Sequence, residues 1–399
     1  MYVLVINSGS SSIKYQLVDM PAQHILASGL VERISLDNSI MTHKVFKDGM
    51  THQYREEKYI ESHHKGLEAI YDLLINYEHP VIKNSHDISV VGHRIVHGGD
   101  TFVKTTLITP EVKSKVKELI NLAPLHNPAN LLGIEVSEQL FENAKQIAVF
   151  DTAFHQSIPE HAYRYALPEH LYTENKVRVY GFHGISHQYV SKKATEYLGL
   201  STSKFITMHL GNGCSAAAIK DGKSIDTSMG MGPKERKKKR KRKREIKKKK
   251  KMYILSLGYS TNEVSDMLNK NSGMKAISGF SDMREVEDLY NKGDERGKLA
   301  YSMAAYRLKK YIGAYYAIMN GLDAIIFTGG IGENDPLMRK LVCDNLNHFG
   351  ILIDKDKNKI GSKNIQNISL EASEVDILVI PTNEELEIAI QSYECLITQ

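Results

Sequence analysis

The sequence contains few cysteines. Only three occur among 399 residues, and Cys214, Cys343 and Cys395 lie far apart with no Cys-x-x-Cys motif. An odd, scattered set of this kind argues against a disulfide framework and against a zinc site. We therefore interpret all three residues as buried or incidental thiols.

Long apolar runs are also missing. No stretch approaches the roughly 18 apolar residues that a membrane-spanning helix requires. The N-terminus is a strand candidate, Tyr2 to Ile6, with neither the basic segment nor the cleavage site of a secretory signal. We therefore expect a cytoplasmic protein with no membrane partner.

Positive charge is concentrated in one segment. The formal net charge is +5 at pH 7, but residues 234–251 alone contain 15 Lys or Arg and two Glu. The rest of the chain carries 37 basic and 45 acidic side chains, so it is mildly acidic. The segment contains one apolar residue, Ile246, and no amphipathic period, so we expect it to be extended and solvated.

A short polar turn near the N-terminus is the first candidate ligand site. The apolar run Val3–Ile6 predicts a buried strand, and residues 7–12 (NSGSSS) predict a tight turn after it. Small side chains let backbone amides and hydroxyls approach an anion, and Lys14 adds a mobile positive charge. The combination favours phosphate binding; the alternative is an ordinary serine-rich hairpin.

The pattern of strand, small-residue turn and strand occurs a second time, about 200 residues later. Phe205–Leu210 is followed by Gly211–Ser215 and then by the apolar run Ala216–Ile219. A third strand candidate follows each copy, at residues 25–31 and 223–226. The repeat predicts two related domains that face each other.

Charged residues follow two further predicted strands. Residues 88–92 lead into Arg94 and a pair of glycines, which suits an anion site at a sheet edge or, equally, a surface loop. Asp151 follows the strand at residues 147–150, so its carboxylate could act on a ligand or cap a helix.

Histidine and glycine motifs mark the second half of the chain. His183 and His187 are four residues apart, but neither a Glu between them nor a nearby Cys supports zinc, and His183 between two glycines favours a substrate contact. The glycine-rich residues 328–334 follow a predicted strand and precede a predicted helix, which favours a nucleotide loop. Glu384 is either a helix-start carboxylate or a cation ligand.

Taken together, these motifs resemble the acetate kinase family of short-chain carboxylate kinases. The resemblance covers nearly the whole chain and rests, in order, on NSGSSSIKY, VGHRIVHGG, HNPAN, FDTAFH, YGFHGISH, HLGNGCS, DTSMG, SGFSDMR, FTGGIGEN and IPTNEE. It implies an α/β fold of the actin, Hsp70 and sugar-kinase superfold, with two ribonuclease-H-like domains and the active site between them. The implied domains are residues 1–152 with 385–399, and residues 153–384 interrupted at 234–251. The family is typically homodimeric.

The resemblance also implies roles for single residues. Asn7 and Glu384 match the magnesium site, where Mn²⁺ is an alternative, and Lys14 matches a lysine on the nucleotide phosphates. Arg94 matches the arginine that holds the carboxylate substrate. Three further catalytic matches are Asp151 as acid/base or orienting group, His183 at the transferring phosphoryl group and Arg242. The nucleotide matches are His209, Leu210, Gly211, Asn212 and Gly213 at the phosphates, and Asp282, Met283, Arg284, Gly330, Ile331, Gly332, Glu333 and Asn334 on the adenosine side.

The implied reaction is ATP plus acetate giving acetyl phosphate and ADP, reversibly, and the alternative acceptors are propionate and butyrate. The basic segment departs from the family, which has an essential arginine there; counted without gaps, that arginine falls on Arg242. Two alternatives follow for residues 234–251. One is a catalytically impaired kinase fold whose basic segment binds nucleic acid or an anionic surface without specificity. The lack of aromatic side chains interleaved for stacking argues against this alternative. The other is an error in the recorded sequence.

Overall fold

Two β-sheets organise the part of the chain that a computed structural model describes, residues 1–232 and 253–398. The basic segment and Arg242 lie outside the described residues. The first sheet is formed by β1 (Tyr2–Ser8), β2 (Ser12–Asp19), β3 (His24–Glu32), β4 (Ile40–Lys47), β5 (Met50–Glu57), β6 (Ile88–Ile95), β7 (Thr106–Leu107) and β8 (Lys145–Phe150). The second is formed by β9 (Lys204–Leu210), β10 (Cys214–Lys220), β11 (Lys223–Thr227), β12 (Ala324–Thr328), β13 (Gln366–Asn367) and β14 (Asp376–Val379).

The two sheets share one strand arrangement. Their orders are β5-β4-β3-β2-β1-β6-β8-β7 and β11-β10-β9-β12-β14-β13. In each, three antiparallel strands come first in the chain, and the first of the three then pairs in parallel with a later strand, β1 with β6 and β9 with β12. Another parallel strand follows, β8 or β14. The predicted internal repeat is confirmed, because in both sheets three antiparallel strands stand in the reverse of their chain order and two parallel strands follow beside the first of them.

Helices cover the faces of the sheets. They are α1 (His63–Ile75), α2 (Pro110–Glu118), α3 (Asn127–Leu140), α4 (Glu160–Tyr163), α5 (Glu169–Thr173), α6 (Gly184–Leu198), α7 (Thr261–Lys270), α8 (Met274–Ser278), α9 (Met283–Asn291), α10 (Glu295–Met319), α11 (Gly329–Asn334), α12 (Pro336–Cys343) and α13 (Glu384–Ile397). Among the described residues, no helix is both long and apolar enough to cross a membrane. The cytoplasmic location stays a prediction.

Two helices connect the sheets. The C-terminal helix α13 packs on β1, β6 and β8 of the first sheet, and α6 packs on β9 and β12 of the second. The two helices also contact each other, and α6 reaches β8. Lys192 of α6 donates to the buried Glu387 of α13 at 2.6 Å. These two helices therefore join the first sheet to the second. The exact domain boundaries stay a prediction.

The sheet interiors contain mainly aliphatic side chains together with several buried histidines. The apolar run Val3–Ile6 is at most 1% exposed, as expected for a strand covered on both faces. His43 of β4 is also fully buried, and its Nδ1 is 2.6 Å from the hydroxyl of Tyr15. None of the three cysteines forms a disulfide; Cys343 is buried, Cys395 is half-buried and Cys214 is exposed.

Burial of these histidines predicts acid lability. Desolvation lowers the pKa of His43, His93, His97 and His155 from 6.5 to about 4. The unfolded chain therefore binds protons at these groups below pH 6.5, whereas the native state does so only near pH 4. We expect the free energy of unfolding to fall between these two pH values, by up to about 3 kcal/mol per histidine.

Urea unfolding at a series of pH values between 7 and 4 measures this slope. His43→Gln, which can still accept from Tyr15, should lose less stability on acidification than the unsubstituted protein. His24→Gln, at an exposed position, is the matched control and should leave the slope unchanged. An equal slope in His43→Gln would contradict the assignment of this proton linkage to His43.

Candidate active site

Three neighbouring parallel strands bring together the polar groups at the centre of the candidate site. The sheet order places β6 between β1 and β8. Asn7 lies near the end of β1, Arg94 near the end of β6, and Asp151 directly after β8. Arg94 therefore belongs to a strand, and the alternative of a surface loop is wrong, because β6 extends through Ile95 in register with β8.

Arg94 and Asp151 form a buried ion pair. Arg94 Nη2 donates to Asp151 Oδ2, and Arg94 Nη1 lies 3.4 Å from the Asn7 amide oxygen. The Asp151 side chain is 1% exposed, and its Oδ1 has no hydrogen-bond partner among the described residues. Burial raises the pKa of Asp151 to about 6, although the positive charge of Arg94 opposes the shift. The carboxylate thus orients the guanidinium and stays ionised at neutral pH.

Glu384 reaches the same centre from the first turn of α13. Its Oε2 lies 3.6 Å from Arg94 Nε, and its Oε1 lies 4.0 Å from His209 Nδ1. The described residues contain no group of three or more His, Cys, Asp or Glu arranged to hold a metal alone. One carboxylate and the Asn7 amide oxygen nevertheless suit Mg²⁺, which binds proteins through one or two carboxylates and takes most ligands from water and substrate phosphates.

Lys14 has a partner that the sequence did not reveal. Its Nζ lies 2.7 Å from Oε2 of Glu385, and Oε1 of the same carboxylate lies 3.5 Å from the Asn7 amide nitrogen. Glu385 is 3% exposed whereas the Lys14 side chain is 55% exposed. A flexible, half-exposed ammonium next to a fixed carboxylate can turn toward an arriving anion. Glu385 directly follows Glu384, and this doubled glutamate was the available sequence signal.

The imidazole rings of His183 and His209 face each other near the C-terminal end of β9. Their rings stack with centroids 4.3 Å apart. His183 has a left-handed backbone, with φ 57° and ψ 27°, and immediately precedes α6. A Cβ on Gly184 would lie 2.2 Å from the Asp151 carbonyl oxygen, so only glycine permits this turn. The turn therefore brings His183 next to Asp151.

Both imidazoles are neutral at physiological pH. Burial, followed by the neighbouring His209, lowers the pKa of His183 well below 6.5. Burial also lowers the pKa of His209. His209 Nδ1 lies 2.8 Å from the Ser186 hydroxyl, which lies 2.9 Å from that of Thr382. The sequence analysis missed Ser186 and Thr382, because single hydroxyl residues carry no distinguishing pattern.

The second small-residue turn lies against His183. A Cβ on Gly213 would be 2.9 Å from both Cε1 and Nε2 of His183. The turn is closed by the Gly211 amide, which donates to the Gly213 carbonyl at 3.0 Å. Of the residues expected at the phosphates, the structure thus brings His209 and the turn of Leu210, Gly211, Asn212 and Gly213 next to His183.

The glycine-rich segment after β12 differs from the expected loop. Gly330, Ile331, Gly332, Glu333 and Asn334 belong to the short helix α11. Oε1 of Glu333 accepts from the amides of Gly329 at 2.8 Å and Thr382 at 3.1 Å. The loop prediction is wrong, because residues 329–334 form a helix, in which the Gly329 amide donates to the Glu333 side chain. The Glu333 carboxylate links α11 to the segment that leads into Glu384.

Asp282, Met283 and Arg284 lie at the start of α9. Asp282 caps this helix, and its carboxylate pairs with the Arg284 guanidinium at 2.5 Å. The Arg284 side chain is 89% exposed. Among the contacts described for these three residues, none reaches the Arg94 centre. Arg242 lies outside the described residues, so its role stays a prediction.

Comparison with known proteins identifies the family. A family model described as the acetokinase family matches residues 2–390. The chain belongs to the acetokinase family. The acetate kinase of Flavobacterium johnsoniae is 52% identical over 397 residues, covering 99% of this chain and 100% of the relative. The acetate kinase of Carboxydothermus hydrogenoformans is 46% identical over 402 residues, covering 100% of both.

Solved structures of the acetokinase family share the fold. The crystal structure of Porphyromonas gingivalis acetate kinase has a TM-score of 0.88 at 42% identity and covers 99% of both chains. A propionate kinase from Francisella tularensis has a TM-score of 0.88 at 39% identity, covering 98% of this chain and 99% of that one. With the two repeated sheets, these similarities confirm the predicted fold of the actin, Hsp70 and sugar-kinase superfold.

The Arg94–Asp151 ion pair in this acetokinase predicts how the pKa of Asp151 responds to loss of the arginine charge. Because the Arg94 charge opposes the effect of burial, Arg94→Met should raise the Asp151 pKa above its value of about 6. Carboxyl ¹³C NMR of Asp-labelled protein measures the shift, with Asp151→Asn used to assign the resonance. Lys117→Met, at an exposed position of α2, should leave the titration unchanged. An Asp151 pKa that stays the same or falls in Arg94→Met would contradict the pairing.

Proposed function

We propose that this protein transfers the γ-phosphoryl group of ATP to acetate, forming acetyl phosphate and ADP, in a reversible reaction. The observation that carries the proposal is the convergence on one centre of Asn7, Arg94 and Asp151 from the first sheet with Glu384 from α13 and His183 before α6. The relatives with 46–52% identity are named acetate kinases, which supports the same acceptor here. Members of this family use ATP and ADP as co-substrates.

In the proposed step, an acetate oxygen attacks the γ-phosphorus while the bond to the bridging oxygen of ADP breaks. The attacking carboxylate is already ionised, so the protein needs to position it and to offset charge on the equatorial oxygens. Arg94 holds the acetate carboxylate, because its fork-shaped guanidinium binds carboxylates through two N–H groups. Asp151 keeps Arg94 in that orientation from a fully buried position.

The neighbouring groups act on the phosphates. His183, as a neutral donor, stabilises the transferring phosphoryl group, and Lys14 leaves Glu385 to bind the nucleotide phosphates. The turn from His209 to Gly213 lies along these phosphates. Asp282–Arg284 and Gly330–Asn334 lie on the adenosine side.

Mg²⁺, or Mn²⁺ in its place, fits Asn7 and Glu384 as partial ligands, with the nucleotide phosphates supplying the others. When bound there, the ion would offset negative charge on the transferring group. Glu384 would also help Asp151 to hold Arg94 in place, since its carboxylate lies 3.6 Å from Arg94 Nε.

A small apolar cluster contains residues that are close in sequence to Arg94 and His183. Val96 follows Arg94 by two residues and Phe182 immediately precedes His183, and both pack in one cluster with Ala123 and Met229. Val96 is 3% exposed and Phe182 is 1% exposed. We propose that this cluster contacts the acyl chain and restricts it to a short one, which favours acetate over propionate or butyrate.

Three further features belong to the proposal. Arg242 would add a second positive charge at the phosphoryl group, from the basic segment outside the described residues. A homodimer is proposed on the basis of the family. The domains are proposed to divide near residues 152 and 384, in keeping with the packing of α13 on the first sheet.

Activity of the chain as written tests the function. Purified protein with ATP, Mg²⁺ and acetate should form acetyl phosphate, trapped with hydroxylamine. Arg94→Ala should reduce the rate by about 10³–10⁵, the effect of losing an arginine charge in phosphoryl transfer. Lys117→Ala is the exposed control and should retain full turnover. Absence of turnover in the unsubstituted chain, or full turnover in Arg94→Ala, would contradict the proposal.

Acyl-chain preference gives a second test. Val96→Ala should leave more space for the acyl chain beside the apolar cluster. The ratio of kcat/KM for propionate to that for acetate should therefore rise by about tenfold, because one methylene changes substrate discrimination by about 10–200-fold. Val103→Ala, at a position that is 55% exposed, is the matched control. An unchanged ratio in Val96→Ala would show that this cluster does not contact the acyl chain.

A further inference from the structure

A chain of hydrogen bonds leads from the second sheet to His183. Thr207 Oγ1 lies 2.7 Å from His187 Nδ1, and His187 Nε2 lies 2.7 Å from Ser215 Oγ. Ser215 Oγ in turn lies 2.8 Å from His183 Nδ1. Thr207 and His187 are fully buried and Ser215 is 2% exposed. The partners of these atoms are therefore the members of the chain itself.

The hydrogen atoms of the chain can be placed in three ways that form every link. Burial lowers the pKa of His187, as it does for His183, well below 6.5, so both imidazoles are neutral. A neutral imidazole has one N–H donor and one acceptor nitrogen, and a hydroxyl has one hydrogen to donate. Three arrangements form every link: all donors point toward His183, all donors point toward Thr207, or Thr207 donates to His187 while His187 and His183 both donate to Ser215, because a hydroxyl oxygen can accept two hydrogen bonds.

Unpaired hydroxyl hydrogens decide among these arrangements. If every donor pointed toward Thr207, the hydroxyl hydrogen of Thr207 would need another acceptor. Among the described residues, His187 Nδ1 is the one hydrogen-bond partner of this hydroxyl. If both histidines donated to Ser215, the hydroxyl hydrogen of Ser215 would have no acceptor among the described residues. A buried hydroxyl left without an acceptor is costly. In the remaining arrangement Thr207 donates to His187, His187 Nε2 to Ser215, and Ser215 to His183 Nδ1, so every hydrogen is paired.

The favoured direction leaves the His183 proton on Nε2. This nitrogen lies against the second small-residue turn, where a Cβ on Gly213 would be 2.9 Å away. That turn is where the proposed function places the ATP phosphates. A donor at this atom suits a phosphoryl oxygen, whereas the other tautomer would present a lone pair to a negatively charged group.

We propose that Thr207, His187 and Ser215 are positioning residues that hold His183 as its Nε2–H tautomer, the form that can donate to the transferring phosphoryl group. The role in catalysis rests on the proposed function, whereas the tautomer itself does not. The reaction contributes no proton to this chain, so the residues act by orientation, and no atom of Thr207, His187 or Ser215 contacts the substrate.

The tautomer can be measured directly. ¹⁵N NMR of histidine-labelled protein near pH 7, with His183→Gln used for assignment, should show His183 with a protonated Nε2 and an unprotonated Nδ1. In Thr207→Val the direction of the chain is no longer imposed, so the His183 signal should shift toward the Nδ1–H form. A protonated Nδ1 in the unsubstituted protein would overturn the proposal.

Kinetics of a matched pair test the catalytic consequence. Thr207→Val keeps a branched side chain but removes the hydroxyl, whereas Thr207→Ser keeps the hydroxyl. We expect Thr207→Val to lower kcat by about 10- to 100-fold, as for partners that orient a catalytic group, with KM for ATP and acetate unchanged. Thr207→Ser should retain most of kcat. Equal kcat values for the two variants would overturn the proposal, because packing alone would then explain the loss.

A second variant, Ser215→Ala, keeps the proposal testable if Thr207→Val does not fold. Ser215→Ala breaks the last link and should give the same loss of kcat and the same shift of the His183 signal; an unchanged kcat and signal would overturn the proposal. If the unsubstituted protein forms no acetyl phosphate, the proposed function fails. The NMR spectrum of His183 still decides the tautomer in that case.

Discussion

Burial of the Arg94–Asp151 ion pair is the constraint on which the rest of the site depends. A guanidinium in the protein interior needs a carboxylate partner, and the partner must be held rigidly because removing either one leaves an uncompensated charge. The sheet order meets this need by placing β6 directly beside β8, so that both residues emerge at the same edge. Asn7 arrives from β1 on the other side, and Glu384 from the start of α13.

Desolvation shifts the pKa values of the acidic and basic groups in the site in opposite directions. It raises the pKa of Asp151 and lowers that of His183 and His209, in each case toward the neutral form. Asp151 stays ionised at neutral pH because Arg94 opposes the effect of burial. For the histidines burial prevails, even at His209, where Glu384 opposes it. The site therefore combines one fixed ion pair with neutral imidazole donors. Hydroxyl groups, Ser215 for His183 and Ser186 for His209, orient those donors.

Much of the fold and part of the site could be predicted from local patterns. The apolar runs and small-residue turns located the strands, and their repetition indicated two similar halves, because such patterns depend on neighbours within a few residues. Asn7, Arg94 and Asp151 were found for the same reason, since each stands at the end of a recognisable strand. Glu385 was missed because its burial and its contact with Lys14 join residues 371 positions apart. The turn at Gly330 was expected as a loop because glycine favours loops, but the Glu333 carboxylate closes it into a helix.

By itself, the sequence determined the strands, the repeat, the family motifs and the residue types available for phosphoryl transfer, because these depend on composition and short-range order. The tertiary structure alone decided which residues share a buried environment. It paired Lys14 with Glu385, directed Glu333 toward Thr382 rather than outward, and aligned Thr207, His187 and Ser215 behind His183. Charge states and hydrogen-bond directions follow from that environment, since desolvation and partner geometry exist only once the two sheets and the helices between them have packed.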